Sequence, residues 1–285
     1  MPHGSLRIGR VEAVVLCDGV TFAGGPARES FPGGRDDVWA ETRERYAWAF
    51  GHEGGWRLHV HATALRSEGR TILVDTGVGP QSAPAFAWSK IRGELPQELA
   101  AAGIDPADVE RVVITHIHDD HLGWTTVETA DEPMFPSARY VIHRADWELM
   151  AGATDEEDRE IFAATMAPLE RAGVVQLSED RVELTGELAL LHAPGHTPGH
   201  QVVTIDSDGG RALVSGDLVN NPAQLLQPGL NGATDGNPPL AAATRAAWLE
   251  RIGREDRLVI PSHFEQGFGR FVADGDRHSW EPLET

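Results

Sequence analysis

The sequence predicts an α/β fold in which two mixed sheets pack face to face with helices on both outer faces. Three observations carry this prediction. Strand-like runs come in a group, then a helix, then a strand, and this order occurs twice along the chain. The runs between Val174 and Ser215 are each short and bounded by Gly, Pro or Asp. Nothing repeats at a short fixed period, and no low-complexity tract marks a linker. A single domain over residues 1–285 is therefore expected, because large α/β folds often reach this length undivided.

Taken in order, Arg10 to Leu16 is rich in apolar residues and reads as a first strand. The Gly/Pro-rich passage from Asp18 to Gly34 has no consistent period and reads as a loop. Trp39, Tyr46, Trp48 and Phe50 then concentrate aromatic mass, with a short helix expected from Trp39 to Tyr46. Core filling, a homodimer contact or a wall of a substrate pocket would each use such a group. Arg57 to Leu65 and Arg70 to Asp75 read as paired strands joined through Ser67-Glu68-Gly69, where Gly permits a tight turn. His59 and His61 lie two apart and so share a strand face, but no third residue there completes a ligand set.

Glu94 to Ala102 reads as a helix closed by Gly103, and Asp105-Pro106 supplies an N-cap and first position for another short one. Val112 to Ile114 is a buried strand. Beyond it come a strand from Arg139 to His143 and helices from Ala145 to Ala151 and from Glu156 to Ala167, the latter rich in helix formers. His143, at a strand end, reads as structural or exposed. Strands follow at Val174 to Leu177, Leu188 to Ala193, Gln201 to Asp206 and Arg211 to Ser215. A helix from Leu240 to Ile252 and a strand from Leu258 to Ile260 complete the order, ending on the loop of His263.

A formal net charge of −20 repels polyphosphates, so a nucleic-acid partner is not expected. Cys17 is the only cysteine, which leaves no intrachain disulfide, and Met1 to Arg10 lacks the cationic flank and apolar run of a signal peptide; a cytoplasmic location is expected. No apolar run approaches the roughly 18 residues that cross a bilayer.

The chemistry concentrates where the central strand stops. His116, His118, Asp119, Asp120 and His121 follow directly on Val112-Val113-Ile114-Thr115, and burying such a cluster needs a compensating ion. The spacing His-x-His-x-Asp-His offers imidazole and carboxylate, which suit zinc and similar divalent metals. With no Cys nearby, the site reads as open and catalytic rather than closed and structural.

Three further pieces follow: His196 in Ala193-Pro194-Gly195-His196-Thr197-Pro198-Gly199-His200, Asp217 in Ser215-Gly216-Asp217, and His263 in Pro261-Ser262-His263-Phe264. With Thr115 to Gly123, these pieces make a stretch from about residue 70 to about residue 265 that resembles the metallo-β-lactamase superfamily. The resemblance implies an αββα sandwich and two divalent metal ions, zinc being expected. His116, His118 and His196 would hold one ion, Asp120, His121 and His263 the other, and Asp217 would bridge them. It also implies that Asp75, at a strand end, supports the site by hydrogen bonding to a ligand. A metal-bridging hydroxide would be the nucleophile, with Asp120 shuttling a proton to the leaving group.

Asp217 argues against β-lactamase activity, since the true β-lactamases lack an Asp there. Thioesterases of the glyoxalase II type, N-acyl homoserine lactonases and methyl parathion hydrolase-like enzymes have one. Asn220 stands where the lactonases commonly carry a substrate-contacting Tyr, and Gly216 to Gln224 looks more like the methyl parathion hydrolase-like branch. Asn220 is therefore a candidate substrate contact, as is Trp124 at the rim of the metal pocket; Trp124 could equally pack beneath the cluster loop. Trp88 and the aromatics from Trp39 to Phe50 would add apolar wall. The expected substrate is a small neutral carboxylic ester or lactone. Alternatives on the same site are an organophosphate triester or a thioester, although no basic cluster suits a glutathione thioester. A mononuclear iron sulfur dioxygenase-like enzyme and a non-catalytic binding protein are the readings from other classes.

Overall fold

The structure, a computed structural model, describes residues 4–128 and 132–283. Its strands form two seven-stranded sheets, each laid out in chain order. The first contains β1 (Gly4–Ile8), β2 (Val11–Pro26), β3 (Gly55–Ser67), β4 (Arg70–Val74), β5 (Val109–Val113), β6 (Arg139–His143) and β7 (Val175–Ser178). The second contains β8 (Arg181–Glu183), β9 (Leu188–His192), β10 (Gln201–Ser207), β11 (Gly210–Val214), β12 (Leu258–Ile260), β13 (Gly269–Asp274) and β14 (Arg277–Pro282). Both sheets are mixed: β4 to β7 are parallel within an otherwise antiparallel sheet, and β11 and β12 are parallel in the other.

The two-residue side-chain period of a strand explains the layering. Ile72 and Val74 of β4, Val113 of β5 and Val141 of β6 face inward onto Leu190, Val203, Ile205, Val214 and Ile260 of the opposite sheet. Their neighbours Leu73, Val112, Tyr140 and Ile142 face outward onto Leu95, Leu99, Ile161 and Leu169. On the far side, Val202, Leu213, Val259, Phe271 and Trp280 meet Trp248, Leu249 and Ile252 of the helix Pro238–Glu255. Three apolar layers between four layers of structure give the expected αββα sandwich. Each fully buried aliphatic side chain contributes about 1.5–3 kcal/mol.

The structure corrects the sequence reading in several places. β2 continues from Val11 to Pro26, through most of the passage expected to be a loop, and is followed by a single helical turn, Ala27–Ser30. Its Gly residues lower strand propensity, but β3 runs alongside as partner as far as Gly55, and register shifts between Cys17 and Gly19 and between Phe22 and Pro26 absorb the irregularities. The hairpin β13–β14 closes through Gly275-Asp276 with Phe271 opposite Trp280, and was not anticipated. β1 and β8 were likewise missed. The helix expected to end at Ala167 runs on: Glu156–Ile161 passes through a π-helical turn, Phe162–Met166, into Ala167–Ala172. Pro168 explains the widened turn, because its missing N–H breaks the regular ladder. Trp39, Tyr46 and Phe50 are core, packed with Phe31, Phe264 and Trp280, rather than pocket wall.

Candidate metal centre

The ligand candidates sit in the segments that follow β5, β9, β11 and β12, Asp120 and His121 in the short helical turn Asp119–Leu122 and Asp217 in the turn Gly216–Leu218, where a rigid scaffold holds functional groups at its rim. The first loop is pinned at Asp75, just past β4. Its backbone is left-handed, with φ at 61°, which is unusual for a residue with a Cβ. The carboxylate repays that strain: Oδ1 accepts from Thr115 N at 2.7 Å and Oδ2 from Thr115 Oγ1 at 2.8 Å. At the end of β11, Gly216 also takes a positive φ of 49°, and a Cβ there would stand 2.7 Å from His200 Nε2. Glycine is what lets the chain turn into Asp217.

These turns converge seven side chains into two groups, His116, His118, His196 and Asp217, and Asp120, His121 and His263. In the first, His118 Nδ1 lies 3.0 Å from both His116 Nε2 and His196 Nε2. Asp217 joins the groups through different oxygens. Its Oδ2 is 3.3 Å from His196 Nε2 and 3.8 Å from His116 Nε2, while Oδ1 is 3.0 Å from His263 Nε2 and 3.3 Å from His121 Nε2. Asp120 Oδ2 stands 3.7 Å from both of the latter nitrogens.

The donor set fits divalent cations. His121 Nε2 and Asp217 Oδ1 are buried without a hydrogen-bond partner, a costly arrangement unless an ion occupies the space between such groups. The opposite ring nitrogens are already committed. His121 Nδ1 pairs with Asp75 Oδ2, His196 Nδ1 with Asp235 Oδ1, and His263 Nδ1 with the His59 carbonyl, each at 2.8 Å. Such partners fix the tautomer that leaves Nε2 free as a ligand.

The electrostatics agree. Burial, reinforced by the charge of His196, pulls His118 down to about 3, and burial holds His116 well below the usual imidazole range, so both offer lone pairs. Burial also opposes protonation of His196, yet Asp217 and Asp235 outweigh it and lift that ring to about 9. The buried carboxylate charge must be balanced by protons or by cations, and cations do so without blocking the ligand atoms.

The centre opens into a cavity of about 490 Å³. Trp56, Leu58, Trp88, Ile117 and Ile161 form its apolar wall, and Asp120, Asp217 and Asn220 its floor. Trp88 is thus where the sequence reading put it, while Trp56 was missed. Trp124 is a correction: it is 3% exposed, donates Nε1 to Asp18 Oδ1 at 2.9 Å and packs in the core beneath the cluster loop, so it lines no part of this cavity. Asn220 lines the cavity and also orients the centre, donating Nδ2 to Asp217 Oδ2 at 2.8 Å. His59 and His61 belong to neither group. His143 is buried, stacks on His192 with centroids 4.0 Å apart and caps the following helix at Ala145.

Sequence reasoning also missed Asp235, His200 and Asp146. His200 Nε2 accepts from Asp217 N at 2.9 Å, and Asp146 accepts from Thr197 Oγ1, Gly199 N and Ile117 N, tying the His196 loop to the His118 loop. Only His200 carried a signal, its place at the end of the His196 motif.

A family model described as the metallo-beta-lactamase superfamily matches residues 55–263. An N-acyl homoserine lactonase of Bacillus sp. is 27% identical over an alignment of 165 residues that covers 53% of this chain and 60% of the relative. One of Bacillus cereus is 28% identical over 165 residues, with the same coverage. The chain thus spans 60% of the length of these curated relatives. Among solved structures, AidC, a dizinc quorum-quenching lactonase in complex with a product, aligns with a TM-score of 0.84 at 21% identity over 100% of this chain and 98% of that one. A probable metal-dependent hydrolase from Staphylococcus aureus aligns at 0.83 and 20% identity over 98% and 99%. At such identities the likeness establishes the fold.

Proposed function

The chain belongs to the metallo-β-lactamase superfamily, and on that premise we propose that it is a dinuclear metal-dependent hydrolase that opens a small neutral carboxylic ester or lactone. The observation that carries the reading is Asp217, whose two oxygens face two separate histidine groups. A single-ion site would have no use for the second group.

His116, His118 and His196 would hold one ion and Asp120, His121 and His263 the other, with Asp217 shared. Zinc suits this set of imidazoles and carboxylates with no thiolate. When bound, the pair of ions would supply Lewis acidity toward a carbonyl and a water acidified to a pKa of about 7. The protein does the rest. Asp75, Asp235 and the His59 carbonyl keep the Nδ1 protons in place, so that Nε2 of His121, His196 and His263 stays a ligand. Asn220 Nδ2 holds Asp217 Oδ2 so that both oxygens stay aimed. Asp120, with a carboxylate oxygen to spare and a place on the cavity wall, passes a proton to the leaving alkoxide oxygen. Leu58, Ile117 and Ile161 exclude water from the substrate's apolar part. An alkoxide leaving group needs only this modest protonation, whereas an amide nitrogen would need more.

The test is a hydrolysis screen of zinc-loaded protein on lactones, aryl esters, a phosphotriester, a glutathione thioester and a β-lactam. Turnover of lactones and aryl esters with weak preference among them is expected. A β-lactam or thioester hydrolysed a hundredfold more efficiently than any lactone or ester would defeat the substrate assignment.

A further inference from the structure

We propose that the substrate cavity selects positive charge, so that among esters and lactones those carrying an alkylammonium group away from the reacting carbonyl are preferred. This rests on the hydrolase reading above and adds the chemistry of the substrate's far end. Three features point to it. Besides the ligand candidates, the cavity lining carries three carboxylates, Asp119, Glu157 and Asp158, and among the described residues no lysine or arginine lines it. Two indoles, Trp56 and Trp88, line the same space, and Trp88 Nε1 donates to Asp119 Oδ2 at 2.8 Å, which fixes ring and carboxylate side by side. Asn220 is 5% exposed, and with Nδ2 given to Asp217 its Oδ1 is left buried without a partner, so it is an acceptor that this pocket offers.

Indoles and carboxylates that line one cavity, with no lysine or arginine among the described residues there, are the surroundings that recognise alkylammonium groups. A purely apolar tail accounts for Leu58, Ile161 and the indoles but leaves the carboxylates unexplained. A merely solvated acidic face accounts for Glu157 and Asp158, both on the helix Glu156–Ile161, but not for Asp119, which is tied to Trp88 inside the cavity. An anionic tail would meet three like charges.

The test compares choline butyrate with neohexyl butyrate, which replaces the ammonium nitrogen by carbon at nearly constant shape. Zinc-loaded protein should show kcat/KM about tenfold higher for the choline ester at low salt, the combined effect of a cation–π contact and partly exposed carboxylates. The ratio should shrink in high salt and in the double variant Glu157→Gln, Asp158→Asn, because screened or deleted charge no longer attracts. A ratio of one or below, or a ratio that neither change moves, overturns the proposal. Binding gives a readout independent of turnover: choline should quench tryptophan fluorescence at lower concentration than neohexanol, and equal or weaker binding of choline also overturns it. If choline binds better yet neither ester is hydrolysed, the charge preference stands and the ester hydrolase reading falls.

Discussion

Replacing Asp75 by asparagine should weaken one metal position and spare the other. Asp75 is 1% exposed, and its oxygens divide their work: Oδ1 takes the Thr115 amide at 2.7 Å, while Oδ2 lies 2.8 Å from both Thr115 Oγ1 and His121 Nδ1. In Asp75→Asn one oxygen still serves the Thr115 amide, and an NH2 now faces His121. That NH2 must donate, so His121 Nδ1 becomes an acceptor and the ring proton moves to Nε2, the atom 3.3 Å from Asp217 Oδ1. A ligand becomes a donor aimed into the ion's place. Losing a carboxylate behind a ligating imidazole typically costs about 10–100-fold in metal affinity, or about 1.4–2.7 kcal/mol, and the reversed tautomer places this variant at the upper end. His196 has its own support in Asp235, so the first group should keep its ion. Competition of the zinc-loaded protein against a chromophoric chelator should resolve one ion held as in the wild type and one about a hundredfold weaker. Asp235→Asn should give the mirror image. Equal weakening of both ions in Asp75→Asn, or of neither, would refute the argument that each imidazole is held in its tautomer by its own carboxylate.

Asp217→Ala should lower occupancy at both positions and nearly abolish turnover, whereas His143→Ala should leave metal content and turnover intact and cost stability through the lost helix cap, about 0.5–2 kcal/mol, and the lost stack on His192; equal loss of metal in the two variants would show the ligands wrongly assigned. The metal-free protein should lose stability in acid through His61 and His59, which burial lowers from 6.5 to about 3 and about 4. Both folded values lie below the unfolded one, so as the pH falls through 6.5 the unfolded chain takes up protons that the folded chain refuses. At pH 5 each ring should cost about 2 kcal/mol relative to pH 7, and the urea midpoint of His61→Gln should fall less than that of the wild type over this range. Identical slopes would contradict it.

The legible part of the site was local. His116, His118, Asp120 and His121 fall within six positions at the end of a β-branched run, so their spacing carried metal chemistry on its own, whereas His196, Asp217 and His263 each stand alone in a short turn and were placed by the resemblance to the superfamily pattern. Asp75, an acid at a strand end, was placed by the same resemblance. Asp235 was not: it meets His196 across 39 positions from a Gly-rich loop without periodicity, and only the fold brings them together. Trp124 misled because an indole next to the cluster can turn either way, and the buried Asp18 that captures its N–H lies 106 positions earlier. In the fold, short apolar strands such as β6 and β12 were found to the residue and β5 begins three residues earlier than read, while β2 was cut short at its glycines because its stability comes from β3 alongside rather than from its own propensity. The hairpin β13–β14 did have a signal, Gly275-Asp276 between Phe271-Val272 and Ser279-Trp280, that went unused.

The central claim is that two ions act together at one shared carboxylate. Metal-free protein titrated with zinc, while hydrolysis of an aryl ester or lactone is followed, tests it most directly. Turnover that stays low through the first equivalent and rises to its plateau at the second is the predicted result; turnover already at its plateau with one equivalent per chain would contradict it.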